Sequence, residues 1–203
     1  MNAKKATKDR RGEVANVSFM DAQTGRLLEA LESTGQLENT VIIFFSDHSI
    51  FLGNHGRMSK MSLFEEALAT SMIVSFPKRF PQDKINPHPM ELLDLVPTTF
   101  ELAGVKNPNK AAKNGFSIVP LLKGKSSNKR KFAFSEIFGA QSASDDRYRY
   151  ITSEGVEILY DHKSDPWEMK NVAAKLPEIT ERMGKAVEHW MQNSGPVHPP
   201  KTF

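Results

Sequence analysis

The chain has 203 residues, a formal net charge of +3 at neutral pH and 39% hydrophobic residues. That length and composition fit one large or two small globular domains that can bury a core. No cysteine is present, which excludes disulfides. The basic residues gather at Lys4 to Arg11 and at Lys123 to Lys131 without interleaved aromatic side chains. We therefore expect these runs to be solvated and predict no nucleic-acid binding.

The sequence also lacks the features of a membrane or secreted leader segment. No apolar stretch approaches the roughly eighteen residues that a bilayer span requires. The start, MNAKKATKDRRG, is basic but has neither an apolar segment nor a small-residue cleavage site. We expect no membrane span, no signal peptide in this chain, and a basic tail over residues 1–12.

The first predicted elements are a helix and a buried strand. Residues 13–33 carry apolar side chains at helical spacing and Gly35 supplies a stop, so we expect a helix that packs on a sheet. The run Val41 to Phe45 has no polar alternation, which predicts a strand buried on both faces, as in a parallel sheet. Residues at the carboxyl end of such a strand face the crevice where open α/β sheets bind ligands.

A second strand and helix follow, and then the composition changes. Met72 to Phe76 predicts another strand of the sheet. Asp94 is expected to be the N-cap of a helix that ends at Gly104. Residues 106–131 are rich in Lys, Asn, Ser and Gly, which predicts a linker across the surface.

The last third predicts a small antiparallel sheet and a closing helix. Three short strand candidates are joined by turns, one of them at Ser153 to Gly155, and the helix is marked by apolar residues at helical spacing. The strand candidates are 131–138, 147–152 and 156–160, and the helix positions are Ile179, Met183, Val187 and Trp190. The predicted bounds are a basic tail 1–12, an α/β domain 13–125, the sheet and closing helix 126–195, and a tail 196–203.

Four stretches of the chain resemble the sulfatase family. SDHSIFLGNHGRMSKMSLFEE resembles the family's aspartate–histidine–glycine segment, and its spacing from Asp47 to Lys60 is most similar to the iduronate-sulfatase and choline-sulfatase types. The other three are VSFMDAQTGRLLEALESTGQLENT, MELLDLVPTTFELAGV and EILYDHKSDPWEMKNVA, in the order of the family's second half. The resemblance implies an α/β fold: the C-terminal part of an alkaline-phosphatase-like sandwich, with a small antiparallel subdomain and a closing helix.

The resemblance also implies hydrolysis of a sulfate ester with a divalent metal, expected to be calcium with magnesium as the alternative. Asp47 and His48 take the positions of metal ligands, and Lys60 that of the residue that grips the sulfate. Their chemistry agrees, because a carboxylate is a hard oxygen ligand and an ammonium stabilises developing negative charge. His48 could instead donate a hydrogen bond to the sulfate.

Two further residues of this segment are candidates for the site. His55 could donate a proton on the leaving-group side or brace the loop, and Arg57 could contact an acidic substrate such as a sulfated sugar. Two positions depart from the family pattern: Ser49 stands where glycine is usual and Asn54 where an acid is usual. A serine would be strained if position 49 required a positive φ.

The resemblance places the nucleophile outside this chain. Sulfatases carry paired aspartates and a Cys-x-Pro-Ser-Arg segment in their first half, and the cysteine becomes formylglycine; this chain has no paired-aspartate strand near its start and no cysteine. Ser75 to Arg79 fits a serine version of that motif, but it follows an apolar run, so we expect Ser75 to end a strand. We therefore expect an inactive fragment whose partner is the missing N-terminal half, from a periplasmic, extracellular or lysosomal parent. The alternatives are a phosphate- or phosphonate-ester hydrolase of the same superfamily and a noncatalytic remnant.

Overall fold

The structure is a computed structural model. By its internal contacts the chain divides into two units. The predicted tail 196–203 lies outside the described residues, and the predicted domain bounds stay a prediction. The described residues are 3–58, 60–107, 113–125 and 130–194. The first unit comprises Met1–Met61 and Glu66–Gln82, and the second comprises Ser62–Glu65 and Asp83–Phe203.

The first unit opens with the long helix α1, Ala3–Ser33. It begins earlier than the predicted Glu13, because the alanine, lysine and arginine residues of the expected basic tail are strong helix formers. It ends as predicted at Gly35, whose φ of 68° lies in the left-handed region that favours glycine. Among the described residues, no helix combines the length and the apolar character that crossing a membrane requires.

The sheet of the first unit has two strands, β1 (Ile42–Phe45) and β2 (Met72–Ser75), which pair antiparallel. The expectation of a parallel strand buried on both faces was wrong, because β1 pairs antiparallel and its last residue, Phe45, is 47% exposed. An apolar run shows that both faces of a strand can be buried. It does not fix the direction of the partner strand.

The apolar side of α1 is not buried as predicted. Val17 is 57% exposed and Leu27 is 68% exposed. A helix of 31 residues is ~46 Å long, whereas strands of four residues span ~13 Å. The two-stranded sheet therefore offers too little surface to cover this helix.

The second unit contains a four-stranded antiparallel meander in the order β3-β4-β5-β6. The three predicted strands correspond to β3, β5 and β6. The missed strand β4 has the sequence Ala-Gln-Ser-Ala-Ser, which contains none of the β-branched or aromatic residues that indicate a strand. The strands are Ala133–Ile137, Ala140–Ser144, Tyr148–Ser153 and Val156–Asp161.

The helices of the second unit are short except for the last. They are α3 (Leu95–Leu102), α4 (Val119–Leu122) and α5 (Pro177–Asn193). The remaining helix, α2 (Glu65–Leu68), contributes Glu65 to the second unit and its other residues to the first.

The predicted turn at residues 153–155 and the predicted closing helix are confirmed. Glu154 and Gly155 both have positive φ, 49° and 81°, the pattern of a tight hairpin turn with a matching twist. Met183 and Val187 of α5 are buried with Leu159 in the core of the sheet. The ring of Trp190 stacks on Phe134 with centroids 5.1 Å apart.

Asp94 precedes α3 as predicted, but its side chain makes no cap hydrogen bond to that helix. It is buried, and Arg130 donates two hydrogen bonds to its carboxylate at 2.9 and 2.6 Å. The amide of Phe116 donates a third at 2.8 Å. Arg130 and Phe116 belong to the predicted surface linker, in which Ile118 and Val119 are also buried. The described part of this segment is therefore anchored in the unit and was wrongly predicted as a linker across the surface.

The pair formed by Arg147 and Asp161 predicts a pH-dependent stability. Arg147 donates two hydrogen bonds to the carboxylate, at 2.8 and 2.7 Å, and lowers the pKa of Asp161 to about 2. A free aspartate has a pKa of about 3.9, so the stabilisation is present above about pH 4 and is lost as the pH falls toward 2.

We expect Asp161→Asn to lower the free energy of unfolding at neutral pH, with a difference from wild type that shrinks toward about pH 2. The loss should be modest because the Arg147 side chain is 48% exposed. Urea unfolding of both proteins across this pH range measures it. A difference that stays constant with pH would contradict the assignment.

Candidate functional site

Asp47 and His48 lie just beyond the last residue of β1, where the sequence placed them. The His48 amide donates to Oδ1 of Asp47 at 2.9 Å, and the Ser46 hydroxyl donates to the His48 carbonyl at 2.8 Å. These short-range bonds fix the backbone as it leaves the strand. The Asp47 side chain is 78% exposed and that of His48 is 38% exposed. Both groups are therefore accessible to a ligand.

The structure brings Lys60 to the same place. Nζ of Lys60 lies 3.0 Å from Nε2 of His48. The same Nε2 lies 3.2 Å from Oδ2 of Asp47. If Nε2 carries the imidazole proton, it can donate to Asp47; if Lys60 donates to Nε2, the imidazole proton is on Nδ1. That Nδ1 is 3.2 Å from the Ser49 carbonyl, which can accept the proton's hydrogen bond. What this group of three residues binds stays a prediction.

The loop that follows carries the other two candidates and is tightly folded. Gly53, His55 and Gly56 all have positive φ, 116°, 51° and 68°. The Gly53 amide donates to the Arg57 carbonyl, and the Arg57 amide donates to the Asn54 carbonyl, both at 2.9 Å. The Arg57 side chain is exposed.

His55 faces the interior of the first unit. Its Nε2 is 3.4 Å from Oε1 of Glu66, and its ring meets the edge of Phe51 with centroids 5.9 Å apart. These contacts join His55 to other residues of the same unit, so they stabilise the conformation of the loop. The structure thus brings Asp47, His48 and Lys60 together and places His55 against Glu66 and Phe51.

The structure tests two expectations about serine residues, Ser49 and Ser75. Ser49 does not adopt a positive φ, so it carries none of the strain that a serine in place of glycine could have caused. Its amide donates to the Ala67 carbonyl at 3.0 Å. Ser75 is the last residue of β2, as predicted, and pairs with Ile42.

The second unit holds a charged cluster that the sequence alone did not indicate. Ligand atoms of Glu65, His162 and Glu168 lie within 4.8 Å of one another, close enough to hold a metal ion. The guanidinium of Arg149 already pairs with Glu65, and its Nε is 2.7 Å from Oε1 of Glu168. A cation would have to compete with that buried charge, so the group fits an internal ion pair better than a metal site.

One signal could have revealed this cluster. Arg149 stands among the aromatic and aliphatic residues of β5 and is 6% exposed. A charged side chain in a buried strand needs a counter-charge. Its partners, Glu65 and Glu168, are far away in sequence, so they could not be named.

The chain belongs to the sulfatase family: residues 2–105 match the family model described as Sulfatase. Arylsulfatase K of Xenopus laevis is 32% identical over 184 residues, which covers 81% of this chain and 34% of that protein. An N-acetylglucosamine-6-O-sulfatase of Bacteroides thetaiotaomicron is 30% identical over 181 residues, covering 87% of this chain and 32% of that protein. The chain thus spans about a third of the length of the curated relatives it matches.

Solved structures share the fold. A protein in complex with its substrate D-glucosamine-2-N,6-O-disulfate superposes with a TM-score of 0.79 at 23% identity, covering 99% of this chain and 47% of that chain. The phosphonate monoester hydrolase of Silicibacter pomeroyi gives a TM-score of 0.73 at 27% identity, covering 85% and 39%. The predicted family and the predicted α/β fold class with its antiparallel sheet are confirmed.

Proposed function

We propose that the whole protein is a sulfuric ester hydrolase and that this chain supplies an acid–histidine pair for a metal and a lysine for the sulfate. The observation that carries the proposal is the cluster of Asp47, His48 and Lys60, with Nε2 of His48 3.2 Å from the carboxylate and 3.0 Å from the ammonium. It lies inside the segment that matches the sulfatase family.

Calcium is the proposed metal, with magnesium as the alternative. Asp47 would offer a hard carboxylate oxygen and His48 the Nε2 lone pair. Calcium takes ~6–8 ligands, so these two residues fit as part of a shell whose other ligands come from elsewhere. When bound, a divalent cation would polarise the sulfate and offset its negative charge.

Lys60 is proposed to bind the sulfate and to stabilise its charge in the transition state. In the structure its ammonium lies 3.0 Å from Nε2 of His48. An ammonium gains more from a hydrogen bond to an anionic sulfate oxygen than from one to an imidazole nitrogen, because opposite charges then attract as well. A sulfate ester that enters the site can therefore draw the Lys60 ammonium away from His48.

The other two candidate residues are proposed to act on the substrate or on the loop beside it. Arg57 is exposed and would contact an acidic group of the substrate, and His55 would brace the loop or donate a proton. One relative is named an N-acetylglucosamine-6-O-sulfatase, and one similar structure holds a sulfated glucosamine. These names support a sulfated sugar as the substrate class. The proposed compartment of the whole protein is the periplasm, the cell exterior or the lysosome.

A phosphonate or phosphate ester hydrolase is the second candidate. The similarity to a phosphonate monoester hydrolase structure favours it, and the same acid, histidine and lysine would suit another tetrahedral anion. The sulfatase relatives and the family match favour the sulfate ester. The two candidates differ in the ester that is hydrolysed fastest.

The test is the release of anion by the full gene product from 6-O-sulfated glucosamine and from a phosphonate monoester. We expect sulfate release, and we expect Lys60→Ala to lower kcat/KM by about a hundredfold to a thousandfold. Lys78→Ala, which removes an exposed lysine just after β2, is the matched control and should leave kcat/KM unchanged. Faster phosphonate hydrolysis would favour the second candidate. Equal rates for Lys60→Ala and wild type would remove Lys60 from the site.

A further inference from the structure

The short helix α2 holds the site loop at two points. Oε1 of Glu66 lies 3.3 Å from Nδ2 of Asn54 and 3.4 Å from Nε2 of His55. One residue later, the carbonyl of the buried Ala67 accepts the amide of Ser49 at 3.0 Å. The helix therefore contacts both the start and the middle of the loop that joins His48 to Arg57.

The loop needs such support because its backbone is strained. His55 has a φ of 51°, in the left-handed region that disfavours any residue with a Cβ. Strained residues of this kind persist where the surroundings hold them, and they concentrate at functional sites. The Glu66 carboxylate is the group that contacts both His55 and the residue before it.

The burial of the Glu66 side chain lowers the stability of the fold. This side chain is 13% exposed, and among the described residues its Oε2 is buried without a hydrogen-bond partner. An anionic oxygen in that state destabilises the fold, so stability alone does not account for a glutamate at this position. A buried polar group without a partner calls for an explanation, and holding a strained loop in place is one.

We propose that Glu66 is a positioning residue that fixes Asn54 and His55 and thereby sets the course of the loop that presents Arg57 and leads to Lys60. Asn54 fits this role because its amide has a hydrogen to donate to Glu66, which an ionised acid at that position lacks. The contact therefore depends on the departure from the usual sulfatase pattern. The inference rests on the proposed function only in taking sulfate as the anion that binds beside this loop.

Hydrogen exchange on this chain tests the positioning directly. We expect Glu66→Ala to speed the exchange of the Gly53, Gly56 and Arg57 amides about tenfold, because the loop then opens more often. Glu66→Gln keeps an acceptor oxygen for Asn54 and should restore most of the protection. The control is Glu65→Ala. It removes the other carboxylate of α2, which pairs with Arg149 and not with the loop. It should destabilise the chain without speeding exchange in the loop.

A second readout separates positioning from general destabilisation. Inorganic sulfate is titrated into wild type, Glu66→Ala and Glu65→Ala under conditions in which the three proteins have the same free energy of unfolding. We expect Glu66→Ala to raise the Kd for sulfate about tenfold relative to wild type and Glu65→Ala to leave it unchanged.

The outcomes are distinct. If Glu65→Ala speeds loop exchange as much as Glu66→Ala, or if Glu66→Ala speeds none, the inference is overturned. Should Glu66→Ala fail to fold, Asn54→Ala at the exposed end of the contact decides, with the same expected direction. A wild-type chain that binds no sulfate would count against the proposed function, and the exchange comparison would still decide the role of Glu66.

Discussion

The purified chain is expected to hydrolyse a chromogenic aryl sulfate about a millionfold more slowly than a complete sulfatase. Nucleophile, metal and charge stabilisation act as a unit, and this chain has no cysteine to supply formylglycine. Ser75 does not replace it, because its partner in the antiparallel register is Ile42. Ile42 lies at the end of β1 opposite to Asp47, ~10 Å from Phe45 along the strand. The assay uses the chain with added calcium or magnesium.

Asp47→Ala is the control for a contaminating enzyme in that assay. Residual turnover that persists in Asp47→Ala comes from a contaminant. Turnover that disappears in Asp47→Ala would contradict the expectation and show that the chain carries a complete catalytic set. Ser75 would then be the first residue to replace.

Asp94→Ala is expected to lower the free energy of unfolding of the second unit by about 3–5 kcal/mol. The substitution leaves the Arg130 guanidinium, whose side chain is 5% exposed, without its two hydrogen bonds to Asp94. Glu91, 2.8 Å from Arg130, remains as the other carboxylate. Burial raises the pKa of Glu91, the carboxylate that the substitution leaves beside Arg130. The Phe116 amide loses its acceptor as well.

Urea unfolding measures this loss, with Glu181→Ala as the control. Glu181 pairs with Lys185 on the surface, where an ion pair contributes about 0–1 kcal/mol. Replacing Arg130 with methionine in the Asp94→Ala background should recover part of the stability, because it removes a buried charge that has lost one of its two carboxylate partners. A loss below about 1 kcal/mol in Asp94→Ala would contradict the account.

The local features of the fold were predictable from the sequence. Gly35 ends α1 because glycine tolerates a positive φ, and Gly155 has the same role in the hairpin between β5 and β6. Ser75 ends a strand since an apolar run stops there. Asp47 and His48 were located by the end of the β1 run. Each of these features depends on residues that are neighbours in sequence.

The features that could not be predicted depend on partners distant in sequence. Arg130 is 36 residues from Asp94, and the Glu65 amide donates to Glu168 across 103 residues. A single sequence does not reveal which charged residues meet over such separations. For the same reason Asp94 was predicted to cap α3, when its carboxylate binds Arg130.

The site itself was predictable only in part. The spacing from Asp47 to Lys60 suggested that these side chains meet, and the ammonium does lie beside His48. Nothing in the residue types indicated that Glu66 contacts Asn54 and His55. That contact arises because α2 returns to the loop at Ala67, whose carbonyl accepts the Ser49 amide.

Calorimetric titration of inorganic sulfate into this chain tests most directly whether Asp47, His48 and Lys60 form an anion site. We predict that wild type binds sulfate, that Lys60→Ala weakens binding at least about tenfold by removing a charge-assisted hydrogen bond, and that Lys78→Ala does not weaken it. Binding of equal strength in Lys60→Ala and wild type would contradict the central claim that this lysine holds the sulfate.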